Sequence, residues 1–126
     1  MTYPIWGDAE IKRNLYLHQY NELVNVLGSK GAGTTNIDLT LGGVVTVSAT
    51  AGITWTVSNA AASGKCSSFT LILTSNGTYT HTWMSNTKWA SQTAPTLTPN
   101  STDILVFFTT DGGTTWYGSL AVADIH

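Results

Sequence analysis

Apolar residues recur at two different periods along the 126-residue chain, and the switch lies near residue 30. In the first stretch Ile11, Leu15, Tyr16, Tyr20, Leu23, Val24 and Leu27 return at three- and four-residue steps. That spacing puts them on one face of an α-helix. Asp8 stands where a side chain accepts from the first free backbone amides, and Gly28 where a helix ends in the left-handed conformation. The expectation is a helix over residues 8–27. Upstream, Tyr3-Pro4-Ile5-Trp6 reads as extended, because a residue before proline is pushed out of the helical region. SKGAGTTN (29–36) reads as a flexible linker.

After the linker the period becomes two. Ile37, Leu39 and Leu41 alternate with Asp38 and Thr40, and Val45 and Val47 with Thr46 and Ser48. Ile53, Trp55 and Val57 alternate with Thr54, Thr56 and Ser58; Phe69, Leu71 and Leu73 alternate with Thr70, Ile72 and Thr74. Tyr79 and Trp83 stand in TYTHTW. Each run predicts a strand with an apolar inner face and a largely hydroxyl-bearing outer face. Gly42-Gly43, Ala51-Gly52, Ser63-Gly64 and Asn76-Gly77 supply turns, and Asp111-Gly112-Gly113 joins strands over 104–110 and 115–122 as a hairpin. The expected fold is mainly β: an antiparallel β-sandwich or jelly-roll-like domain over residues 36–126. A short N-terminal α-helical arm, with its extended segment and linker, occupies residues 1–35.

Composition changes this picture in one respect. Charged residues make up only 10% of the chain, against roughly 25% in an average soluble domain. Six of the charges (Asp8, Glu10, Lys12, Arg13, Glu22 and Lys30) fall in residues 1–30, which leaves a β region coated by most of the 22 Thr and 11 Ser. A net charge of −2 is too weakly basic for nucleic-acid binding by phosphate neutralisation. No run of about 18 apolar residues is present to span a membrane. The start of the chain lacks the basic-then-apolar pattern of a signal peptide, so export by the usual signal is not expected.

Candidate chemistry is sparse. The single Cys66 excludes an internal disulfide and a multi-cysteine metal site. His18, His81 and His126 have no second ligand-type residue at metal spacing. Cys66 and His81 as a nucleophile pair is a weaker reading than a packed thiol and an outward histidine. Asp111, before two glycines, reads as a carboxylate that fixes its own turn ahead of a calcium ligand. Asn76-Gly77-Thr78 and Asn100-Ser101-Thr102 match the glycosylation pattern, which a Thr-rich chain produces by chance. The expectation is a protein that is not an enzyme, with no catalytic residues, no metal and no cofactor. Trp55, Trp83 and Trp116 read as core. Trp89, in the irregular stretch NTKWASQTAPTLTP, reads either as a lid on the core or as an exposed contact for a sugar or partner. An apolar arm needs another chain to cover it, which makes Tyr3, Ile5, Trp6, Tyr16, Tyr20 and Leu23 candidate partner or oligomer contacts.

The segments GKCSSFTLILTSNGTYTHTW, KWASQTAPTLT and DILVFFTTDGGTTWYG, preceded by IDLTLGG, resemble a β module of structural proteins in tailed bacteriophages, cyanophages among them. The likeness covers about residues 36–120 and departs at Met84-Ser85, where the module often carries a proline after the tryptophan. The resemblance implies a virion component without catalytic residues: a capsid decoration (cement) protein, or a module of a fibre. A 126-residue chain leaves no room for a fibre shaft and a tail-attachment region, which favours decoration. It further implies a homotrimer on the head exterior, with the major capsid protein as partner. The other expectation is a fibre-tip or head-fibre module that binds a receptor or carbohydrate, with Trp89 as its ligand contact.

Overall fold

The structure, a computed structural model, describes residues 10–126. Tyr3, Ile5, Trp6 and Asp8 therefore lie outside the described residues. Among the described residues eight strands form: β1 (Val24–Lys30), β2 (Gly33–Asp38), β3 (Val44–Ala49), β4 (Ile53–Ser58), β5 (Ser67–Ser75), β6 (Thr87–Lys88), β7 (Thr102–Thr109) and β8 (Trp116–Ile125). Short 3-10 turns cover Leu39–Leu41 and Ala90–Gln92. The larger sheet runs β1-β3-β5-β7-β8-β6, and the smaller pairs β2 with β4.

From β1 to β5 successive strands alternate between the two sheets, so this part of the chain coils. β1 and β3 pair in parallel twenty residues apart (Val24 with Val44), and so do β2 and β4 (Gly33 with Ile53). The next turn adds β5 in parallel to β3, while a single parallel bridge, Thr54 to Thr82, continues the smaller sheet. Antiparallel β7 and β8 then extend the larger sheet beyond β5. The mainly β, two-sheet character agrees with the alternation of period two. The directions do not: β1, β3 and β5 run parallel where antiparallel pairing was expected, because a strand of the other sheet serves as each crossover. TYTHTW contributes only the bridge at Thr82, and Asn76-Gly77 is not a two-residue hairpin turn.

The expected helix over 8–27 and linker over 29–36 are also corrected. Residues 10–23 form no helix, and β1 and β2 cover most of 24–38. A short amphipathic helix is stable only when its apolar face is packed, and every side chain from Glu10 to Val24 is exposed. Gly28 does adopt positive φ (74°), as a helix-ending glycine would, but it sits at a bulge in the β1–β3 register. The same left-handed residue serves a different element. At Gly42 the glycine is compulsory on two grounds: its φ is 142°, and a Cβ there would overlap the carbonyl oxygen of Leu23. That close approach is what lets the chain enter β1 beside the start of β3.

Inward side chains of both sheets share one core. Val45, Leu71 and Leu105 lie in register across β3, β5 and β7, and all are fully buried. Ile37, Ile53 and Trp55 close the core from the smaller sheet. Among the described residues no helix is long and apolar enough to cross a membrane.

Candidate functional site

Three aspartates, Asp111 of the sequence reading together with Asp38 and Asp103, are occupied by the fold itself. Asp111 Oδ1 accepts from the Thr115 amide at 2.8 Å and the Thr109 hydroxyl at 2.9 Å, and Thr109 Oγ1 accepts from the Gly113 amide. The Thr115 amide foremost holds the Asp111 carboxyl below its ordinary pKa. This is the turn-fixing role. Asp38 caps the first 3-10 turn: its Oδ1 accepts from the Asn59 side chain at 2.7 Å and from Thr40 through hydroxyl and amide, which lowers its pKa, the Asn59 bond most. Asp103 is 1% exposed and accepts from the Thr98 amide, the Thr98 hydroxyl and the Asp124 amide. It ties the start of β7 to the end of β8. Among the described residues no three His, Cys, Asp or Glu side chains are grouped to hold a metal ion.

Cys66 and His81 exchange the places expected of them. Cys66 is exposed, with only the Ser67 carbonyl near its sulfur at 3.9 Å. His81 is buried, and its Nδ1 accepts from the Ile53 amide at 3.1 Å and from Trp55 Nε1 at 3.4 Å. Two donors on Nδ1 require a neutral ring protonated at Nε2, and burial pushes the pKa down in keeping with that. Nε2 is itself buried without a partner. The imidazole acts as a strut between β4 and the 79–83 segment, and its hydrogen bonds leave no acceptor to activate a thiol.

Trp89 is a lid. Its ring meets Trp83 and Phe107 edge-on at centroid distances of 5.7 and 5.5 Å. It fits because Gly118 lacks a side chain: a Cβ there would stand 2.6 Å from Trp89 Cζ3. Trp55 and Trp116 are buried as expected, and Trp83 is half-buried, stacked on Trp55 at 6.3 Å. A cleft lined by Thr87, Lys88, Trp89 and Gln92 leaves part of the Trp89 ring reachable. Ser91 and Gln92 beside it both hold positive φ (54° and 60°), a conformation that costs non-glycine residues energy.

The exposed apolar side chains are the clearest feature with no role inside the chain. Tyr16 is 84% exposed, Leu23 71% and Tyr20 70%, and Ile11, Leu15 and Leu17 are also more than half exposed. The structure thus leaves the side chains of the three described arm candidates, Tyr16, Tyr20 and Leu23, exposed, while the Leu23 backbone lies against Gly42. It also exposes Val24 and Val26 on β1, Val122 on β8 and the stacked pair Phe108 and Tyr117. These β residues escaped the sequence reading, which assigned the outer face to hydroxyls. A signal was present: FTLIL and DILVFF are apolar on both alternating faces, the pattern of strands covered on both sides. A scan of protein-family models and searches of curated proteins and of solved structures give no match to the chain.

Proposed function

We propose that the protein is a structural component of a tailed-bacteriophage virion, a capsid decoration (cement) protein that docks on the exterior of the head and stabilises it. The observation that carries this reading is the uninterrupted exposure of residues 10–23, a stretch holding six large apolar side chains outside the strands of the body. Monomeric proteins seldom leave that much contiguous apolar surface in water, and a permanent place among other subunits removes the cost. The likeness of residues 36–120 to phage structural modules supplies the kind of assembly. The β body supports the role by what it lacks in charge and carries in threonine: it is wettable without being strongly charged. The arm supplies contacts that hold the protein in place, to the major capsid protein and to copies of itself in a homotrimer.

Decoration of purified heads tests this directly. Wild-type protein is expected to fill its sites, and Tyr16→Asp with Tyr20→Asp to leave them empty. Full occupancy by the double variant overturns the reading. The reachable edge of Trp89, beside Lys88 and Gln92, favours a second function: a fibre-tip or head-fibre module that stacks a sugar on the indole. Gln92→Ala with Lys88→Ala then lowers glycan capture while near-ultraviolet circular dichroism stays unchanged. Unaltered capture removes this second function.

A further inference from the structure

The outer face of the larger sheet is organised in rows that cross its strands. Val26, Thr46, Ile72, Ile104 and Val122 are register partners in succession across β1, β3, β5, β7 and β8. The next row runs Val24, Val44, Thr70, Val106 and Ser119. Neither row contains a charge. β-Branched side chains dominate both, and their restricted χ1 makes the surface stiff. Strands about 4.8 Å apart make such a face roughly 20 Å wide.

The arm is the matching element. Its apolar side chains have no contact that buries them, and residues 10–23 are all exposed, so the arm does not lie on its own sheet. Fourteen extended residues reach at most about 50 Å, more than twice the width of the face. In an extended arm Ile11, Leu15, Leu17 and Leu23 share one side; covering on the order of 100 Å² each, with an equal area on the sheet, they bury about 800 Å² in all, the range of a weak, concentration-dependent contact. The arm also carries Glu10, Lys12, Arg13 and Glu22, and all but Arg13 fall on the side of an extended chain opposite to Ile11, Leu15, Leu17 and Leu23; those four and the uncharged face satisfy each other's unmet burial in one contact, with no foreign chain required.

We infer that the occupant of this face is the arm of a second copy of the chain, laid across the Val26–Val122 row. The inference deepens the proposed function and rests on its premise that protein covers the arm. The contact is heterologous, arm to face, so it closes into a ring when the rotation allows.

Sedimentation of the full chain tests it. Wild type is expected to associate. Leu15→Asp with Leu17→Asp on the arm, and Ile104→Lys on the face, are each expected to give monomers with unchanged circular dichroism. Thr46→Lys, in the same row but already polar, does the same where Ile104→Lys fails to fold. Mixing arm and face variants restores a 1:1 complex, because each carries the surface the other lacks. A monomeric wild type, a face variant that still associates as wild type does, or a mixture that stays monomeric overturns the inference. A monomeric wild type that still decorates heads overturns this contact and leaves the proposed function standing. A wild-type oligomer that ignores heads does the reverse.

Discussion

Residues 24–125 and residues 10–23 carry apolar side chains for the same physical reason and satisfy them differently. In the body Val45, Leu71, Leu73, Leu105 and Phe107 are fully buried between two sheets. In the arm every side chain is exposed, and the chain has no backbone ladder of its own. The body buries its own apolar side chains, and no described residue buries those of the arm. On the proposed function, stability belongs to the body and assembly to the arm, and substitutions should sort between them.

The sharpest way to break that separation is to cut the core. Phe107 packs on Phe69 at 5.0 Å, on Trp83 at 5.4 Å and on Trp89 at 5.5 Å, and is fully buried. Phe107→Ala is expected to cost about 3–5 kcal/mol in denaturant unfolding, from lost transfer energy and a cavity. A cost under about 1 kcal/mol would mean that the aromatic cluster is not a packed unit. Gly118→Val is next. Its side chain would enter space held by Trp89 and Phe107, so about 1–3 kcal/mol should be lost to overpacking. Tryptophan emission should shift to the red as the Trp89 lid lifts. Unchanged emission would show that Trp89 does not depend on the Gly118 gap.

A smaller effect comes from His81. Its pKa is lowered in the folded state by burial, so the unfolded chain binds one more proton than the folded one once pH falls below the unfolded value near 6.5. Stability is expected to be full above that pH and to decline below it. Asp38 and Asp111, whose pKa values are lowered, lose their contributions only in the acid range near and below 3.8, outside this window. Thermal melts between pH 7 and 5 should therefore slope downward for wild type and lose that part of the slope in His81→Gln. Equal slopes for the two proteins would place His81 in a more open setting.

Much of this body could be read from the chain alone. Alternation located five strands within a few residues, and it identified Trp55 and Trp116 as core. What it could not carry was direction. Period two says which face a residue takes, and an antiparallel hairpin and one turn of a coil share it. The twenty-residue offset between Val24 and Val44 and between Gly33 and Ile53, which marks the stacked turns, becomes visible only once the strands are paired. The helix expectation failed for a related reason. Three- and four-residue spacing over 11–27 describes a face, and a face forms a helix only when something covers it. Val24 and Val26, β-branched and one residue apart, already belonged to a strand. The candidate site divided likewise. The exposed arm residues Tyr16, Tyr20 and Leu23 were visible as apolar positions, while the Val26–Val122 row exists only after the strands pair.

The smallest expected effect is the most discriminating. Tyr16 is 84% exposed, and its hydroxyl meets only the Asn14 side chain at 3.1 Å, within the arm itself. Removing the ring from a monomer should change unfolding stability by no more than about 0.5 kcal/mol, the range of ordinary surface positions. Tyr16→Ser should therefore unfold at the wild-type denaturant concentration when dilute, and differ only when crowded enough to associate. Limited trypsin digestion reads the same distinction: Lys12 and Arg13, both exposed, should be cut first in dilute protein and be protected on association. A loss above about 1 kcal/mol in dilute Tyr16→Ser would mean that the arm packs on its own body, and the contrast between a self-sufficient coil and a dependent arm would fall.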